Sequence, residues 1–125
     1  MGRPLFDRAL TTEFTDVCTA DNIYIAVPFT GRVILFQSVL AGAITAADAV
    51  ITTAIAPPGS NTFTAITGGG WTVANAGSAA GDYDEARPTA NNLVREGSRI
   101  RVTTDGGGTG PQKLGVTVTI RESGA

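Results

Sequence analysis

LGVTVTIR, residues 114–121, carries the pattern on which the fold reading turns. Leu114, Val116, Val118 and Ile120 recur at every second position, with glycine, threonine and arginine between them. Successive side chains point to opposite sides only in a strand, so this is an antiparallel strand with one buried and one wet face. RIRVT at 99–103 repeats the pattern, with Ile100 and Val102 inward and Arg99 and Arg101 outward. Residues 23–27 place Ile23, Ile25 and Val27 on one face. The stretch GRVILFQSVL at 31–40 departs from this, being apolar on both sides. Strict alternation puts Ile34, Phe36 and Leu40 on one face and Val33, Leu35 and Val39 on the other. Only one of these can meet the core of a small antiparallel domain. The second is left for another chain or for loops of the same chain.

Working outward, glycines and prolines punctuate the rest. Pro28 with Gly31 makes a first turn, and Ala41-Gly42 ends the second strand. Residues 49–55 read as a third strand, closed by the loop Pro57-Pro58-Gly59-Ser60-Asn61, since neither proline suits a ladder position. Strand is expected again at 61–66 and 71–75 around the turn Gly68-Gly69-Gly70, with a short piece at 82–86. Residues 89–94 suit a single helical turn or an irregular connection. The Asp105-Gly106-Gly107-Gly108 turn suggests a hairpin between the 99–104 strand and the last one. Seven or eight short strands at this spacing predict an antiparallel β-sandwich, jelly-roll-like or a related barrel, over residues 22–125. Eighteen threonines and many valines and isoleucines agree, because such side chains suit a pleated, half-buried surface.

Residues 1–21 show no period of two, yet hold Leu5, Phe6, Leu10 and Phe14. A disordered tail rarely carries such residues. They predict an extended N-terminal arm that either straps over its own domain or orders on a neighbour.

Composition narrows the function. Charged residues are 16% and hydrophobic ones 42%, which excludes intrinsic disorder. The charged fraction is low beside the roughly 25–35% expected of a free surface, so part of the surface is expected to be covered by a partner. The net charge is −2, and the basic residues are scattered, so no basic stripe for nucleic acid forms. The first residues lack the apolar core of a signal peptide, and no apolar run approaches a membrane span, which predicts synthesis in a cytoplasm.

Chemistry is scarce. The chain has no histidine, the commonest general base and metal ligand, and Cys18 is its only cysteine. A structural zinc site cannot be assembled within the chain, and Cys18 reads as a packed thiol. Gly68–Gly70 lacks the following helix and lysine of a phosphate loop. Asp82, Asp84 and Glu85 suggest the start of a calcium site, but such sites want six to eight oxygens, and a solvated acidic rim is the simpler reading. No catalytic residue, metal or cofactor is predicted.

A resemblance adds to this. VPFTGRV at 27–33, AGAITAADAVIT at 41–52, GSAAGD at 77–82, PTAN at 88–91 and Val94-x-Glu96-Gly97-Ser98-x-Ile100-x-Val102 together resemble the small decoration, or cement, proteins of tailed-bacteriophage capsids. The likeness spans roughly residues 22–122 and rests on small residues and turns. It implies a non-enzymatic β protein that trimerises where capsomers meet, binds the major capsid protein on the outer surface of the virion and stabilises the shell. In that setting Arg3, Leu5, Phe6, Arg8 and Phe14 are the expected capsid-binding arm, and Val33, Leu35 and Val39 the expected self-association residues. Neither nucleic acid nor membrane is an expected partner. The rival reading is a carbohydrate- or receptor-binding sandwich using Trp71, Tyr83, Asp82, Asp84, Asn91 and Asn92.

Overall fold

The computed structural model describes residues 6–123. Strand β10 (Leu114–Glu122) lies in the first sheet, flanked by β1 (Asp7–Phe14) and β3 (Gly31–Leu40). Along its far edge β3 carries two short strands, β7 (Tyr83–Ala86) and β8 (Leu93–Val94). In the second sheet β9 (Arg99–Thr104) runs between β2 (Asp21–Ala26) and β4 (Ala49–Ala56). There β4 carries β5 (Thr64–Ala65) and β6 (Trp71–Val73). Every pairing is antiparallel.

The order β1-β10-β3-β7 facing β2-β9-β4-β5 has a simple origin. The chain is one long hairpin with nested pairs, β1 with β10, β2 with β9, β3 with β7 and β8, and β4 with β5 and β6. Wrapped over itself, that ribbon places alternate pairs in opposite layers. The result is a two-layer jelly roll, as the strand count and spacing predict.

The core is built from the alternation read in the sequence. Leu114, Val116, Val118 and Ile120 of β10 are buried, as are Ile100 and Val102 of β9. Phe14, Phe36, Leu40, Ile44 and Ile51 fill the space between the sheets. Trp71 ties the layers together: its ring stacks on Phe36 at 5.7 Å, and its Nε1 donates to the Ser38 hydroxyl at 3.0 Å.

Several expectations need correction. The 99–104 strand does not form a hairpin with the last strand, because β9 and β10 lie in opposite sheets. The segment between them is a crossing. Asp105 takes the N–H groups of Val50 and Gly107, both at 2.9 Å, and Thr109 bridges Thr45. The faces of β3 are not strictly alternating either. A bulge between its pairings with Thr119 and Ile120 leaves Ile34 as an extra residue. This turns Val33 into the core with Phe36, while Leu35 and Val39 stay on the outer face.

The arm is shorter than its sequence suggests. Residues 7–14 form β1, an edge strand in full register with β10, and Val17 behind it is buried. The period of two was masked because Arg8, Leu10, Thr12 and Phe14 share the inward side and only two of them are apolar. Strand at 61–66 shrinks to Thr64–Ala65, and 89–94 is not helical but bridges Thr67 through Ala90 and then enters β8.

Candidate interaction surfaces

The faces of the two sheets and one end of the sandwich are the surfaces where contacts can form. The outer face of the first sheet presents Ala9, Thr11 and Glu13 from β1, Gly115, Thr117 and Thr119 from β10, and Leu35, Gln37 and Val39 from β3. Its centre carries no charge. Tyr83 stands at its edge beside Val39, each about half exposed at 51%. The Gln37 amide donates to the Tyr83 hydroxyl at 3.0 Å, which donates to Glu85 at 3.1 Å. Ion pairs frame the patch: Arg87 with Glu85 at 3.3 Å and Arg121 with Asp7 at 3.0 Å; Arg8 pairs with Glu122 at 2.6 Å on the opposite side of the sheet. Arg121 holds the Asp7 carboxyl below its ordinary range, mainly by hydrogen bonding.

Of the residues expected to self-associate, Leu35 and Val39 lie on this face and Val33 is buried beneath it. Of the expected arm, Arg3 and Leu5 lie outside the described residues. Phe6 is exposed, its carbonyl accepting from the Glu122 N–H at 2.8 Å. Arg8 pairs with Glu122 and lies over the Phe29 ring at 5.4 Å. Phe14 is a core residue and cannot anchor a separate arm.

The outer face of the second sheet is different. Arg99 reaches into the 57–61 loop, donating to Asn61 at 2.7 Å and to the carbonyls of Pro57 and Ser60. Ala54 and Ala56 of β4 are buried, set beside Arg101 and Arg99 of β9. Phe63 covers Arg101 at 4.7 Å and packs against the exposed Tyr24 at 5.8 Å. Sequence reading missed this cluster, because Tyr24 and Phe63 are far apart in the chain.

One end of the sandwich opens into a cleft of about 900 Å³. Ile55 and Thr64 of the second sheet, with Pro57 of the loop that follows β4, form one wall, and Arg32, Leu93, Val94 and Arg95 the other. Asn91, also on its lining, has a left-handed backbone with φ of 54° and donates to Thr67 at 3.2 Å. Leu93 is the most exposed large apolar residue among those described, at 69%. The sequence reading did not find this cleft, since its walls come from four distant segments.

The features that drew attention in the sequence resolve as architecture. Gly68 has φ of 75°, and a Cβ on Gly69 would lie 2.4 Å from the Thr53 hydroxyl, which donates to the Gly69 carbonyl. This is a tight turn that delivers Trp71 to the core. Asp82 accepts from the Ala79 N–H at 2.9 Å, so one of its oxygens serves the turn. Burial first, then the Asp82 charge, pushes the Asp84 carboxyl above its ordinary range. Among the described residues no three potential metal ligands come together. Desolvation and the Asp16 charge raise the Cys18 thiol, which makes it a poor nucleophile. The rival sugar platform comes apart, since Trp71 is buried and buried Asn92 donates to the Val33 carbonyl at 2.7 Å.

No protein-family model and no curated protein sequence matches the chain. Solved structures do. A chain of the acid-stable capsid structure of Helicobacter pylori bacteriophage KHP30 matches with a TM-score of 0.60 at 12% identity, over 95% of this chain and 90% of that one. A chain of the cyanophage Pam1 capsid asymmetric unit matches at 0.50 with 24% identity, over 98% and 87%. The Eiger TNF of S. frugiperda matches at 0.50 with 8% identity, over 82% and 66%. At these identities the likeness is one of fold: the chain is a jelly-roll β-sandwich of the kind present in two phage capsid structures.

Proposed function

We propose that this protein is a non-enzymatic component of a bacteriophage virion, made in the host cytoplasm, that binds the major capsid protein on the outer surface and reinforces the shell as a homotrimer. The observation that carries this reading is the fold match to a chain of a phage capsid structure, end to end on both sides at 95% and 90% coverage. The uncharged centre of the outer face of the first sheet supports it, because a patch of Ala9, Thr11, Thr117, Leu35 and Val39 sheds water at little cost when a protein covers it. The absence of histidine from the chain supports a role without catalysis.

The mechanism is linkage. A protein that binds the assembled shell and not its separated subunits stabilises the shell by that difference in affinity. Repetition over a symmetric lattice turns weak single contacts into strong reinforcement. Co-sedimentation with purified shells lacking the protein tests the reading. Saturable binding that raises the temperature of genome release is expected, and a chain that stays in the supernatant overturns it.

A further inference from the structure

We propose that the cleft at the end of the sandwich is a docking groove for an extended acidic peptide segment of a partner protein. Charge is the first argument. Arg32 and Arg95 line the cleft, and among the described residues neither has an ion-pair or hydrogen-bond partner for its guanidinium. No carboxylate lies on the lining, whereas Arg8, Arg87 and Arg121 elsewhere each hold one. Two exposed arginines converging on a recess without a counter-charge are matched by carboxylates, which a guanidinium binds through paired N–H donors.

Shape and wall chemistry choose a peptide. The recess lies where a terminal strand of each sheet comes to the surface. β5 ends the second sheet, and β8 pairs with β3 alone among the described residues. An extended segment laid along β8 meets the main chain of Leu93 on the side away from β3, because the ladder bond there is made by the neighbouring Asn92 carbonyl, which takes the Val33 N–H at 2.8 Å; this is the geometry of strand addition. Exposed Leu93 with Ile55 supplies apolar contact for alternate side chains. No aromatic ring lines the cleft to stack on a sugar, which speaks against a glycan. The volume of about 900 Å³ exceeds what a single phosphate needs.

The inference deepens the capsid reading by naming the chemistry of a contacting segment, and depends on that reading only for which protein supplies it. The test is an NMR titration of the full chain, labelled on backbone nitrogen, with an acetylated and amidated peptide alternating glutamate and valine. Shifts confined to the cleft residues are expected, with affinity about tenfold weaker in the Arg32→Ala/Arg95→Ala double variant. Arg32→Glu/Arg95→Glu should exchange preference for a lysine–valine peptide. Three results would overturn the proposal: no cleft shifts with the acidic peptide, equal shifts with inorganic phosphate, or tighter binding of oligogalacturonate. The titration uses no shells, so a failure of co-sedimentation rejects the capsid reading without touching this one.

Discussion

Trp71 links the two sheets through a buried polar contact, its indole N–H to the Ser38 hydroxyl. A buried hydroxyl that loses its partner costs about 1–3 kcal/mol beyond any volume lost. Trp71→Phe is therefore expected to lower the urea midpoint, and adding Ser38→Ala should recover part of the loss. Strictly additive effects in that double-mutant cycle would show the bond to be energetically idle. Asp84 offers a test with a defined sign. Its folded pKa is raised, so between the ordinary and the raised value the folded chain holds a proton that the unfolded chain has lost. Stability then falls as pH rises through that window. Asp84→Asn should stabilise the protein at neutral pH, modestly because the group is partly exposed, and the gain should vanish below the ordinary carboxylate range. Urea melts of both proteins across that range decide it.

At the level of elements, β1 and the bulge in β3 decide which residues are free to act. Deleting residues 2–6 leaves β1 (Asp7–Phe14) whole and is expected to keep the unfolding free energy from urea melts within about 0.5 kcal/mol of wild type. Deleting 2–20 takes the whole of β1 with buried Phe14 and Val17, and loss of a buried phenylalanine alone costs about 3–5 kcal/mol. Circular dichroism of the two truncations should show one folded chain and one unfolded. This contrast also locates what the sequence could tell. Strands β9 and β10 are legible because each has an unbroken row of apolar residues on one side, and the jelly roll follows from their spacing. Phe6 and Phe14 read alike, because burial depends on register with β10 and that pairing spans the length of the chain. The bulge at Ile34 was invisible for a related reason: an extra residue in a run apolar on both faces leaves the pattern looking unbroken. The cleft was illegible since Arg32 and Arg95 meet only after β3 and β8 pair.

Across the whole molecule, the two outer faces differ in kind. The first is uncharged at its centre, and on the second Arg99 pins down the 57–61 loop. Self-association through the first face predicts that Val39→Asp lowers the mass in light scattering from trimer to monomer while the fold persists. Arg101→Ala on the second face should leave the mass unchanged. A trimer indifferent to Val39→Asp would move the interface elsewhere. The pairing of β1 with β10 bears on something further, the mechanics of the chain. Asp7 stands opposite Arg121, so both ends leave the sheet from adjacent positions. Tension applied between the ends peels these two strands apart one rung at a time, beginning at the bond from the Glu122 N–H to the Phe6 carbonyl and then the Arg121–Asp7 pair, and does not load the ladder in shear. Anything tethered through both termini would open this protein at low force, whereas a load spread over its faces presses the two layers together.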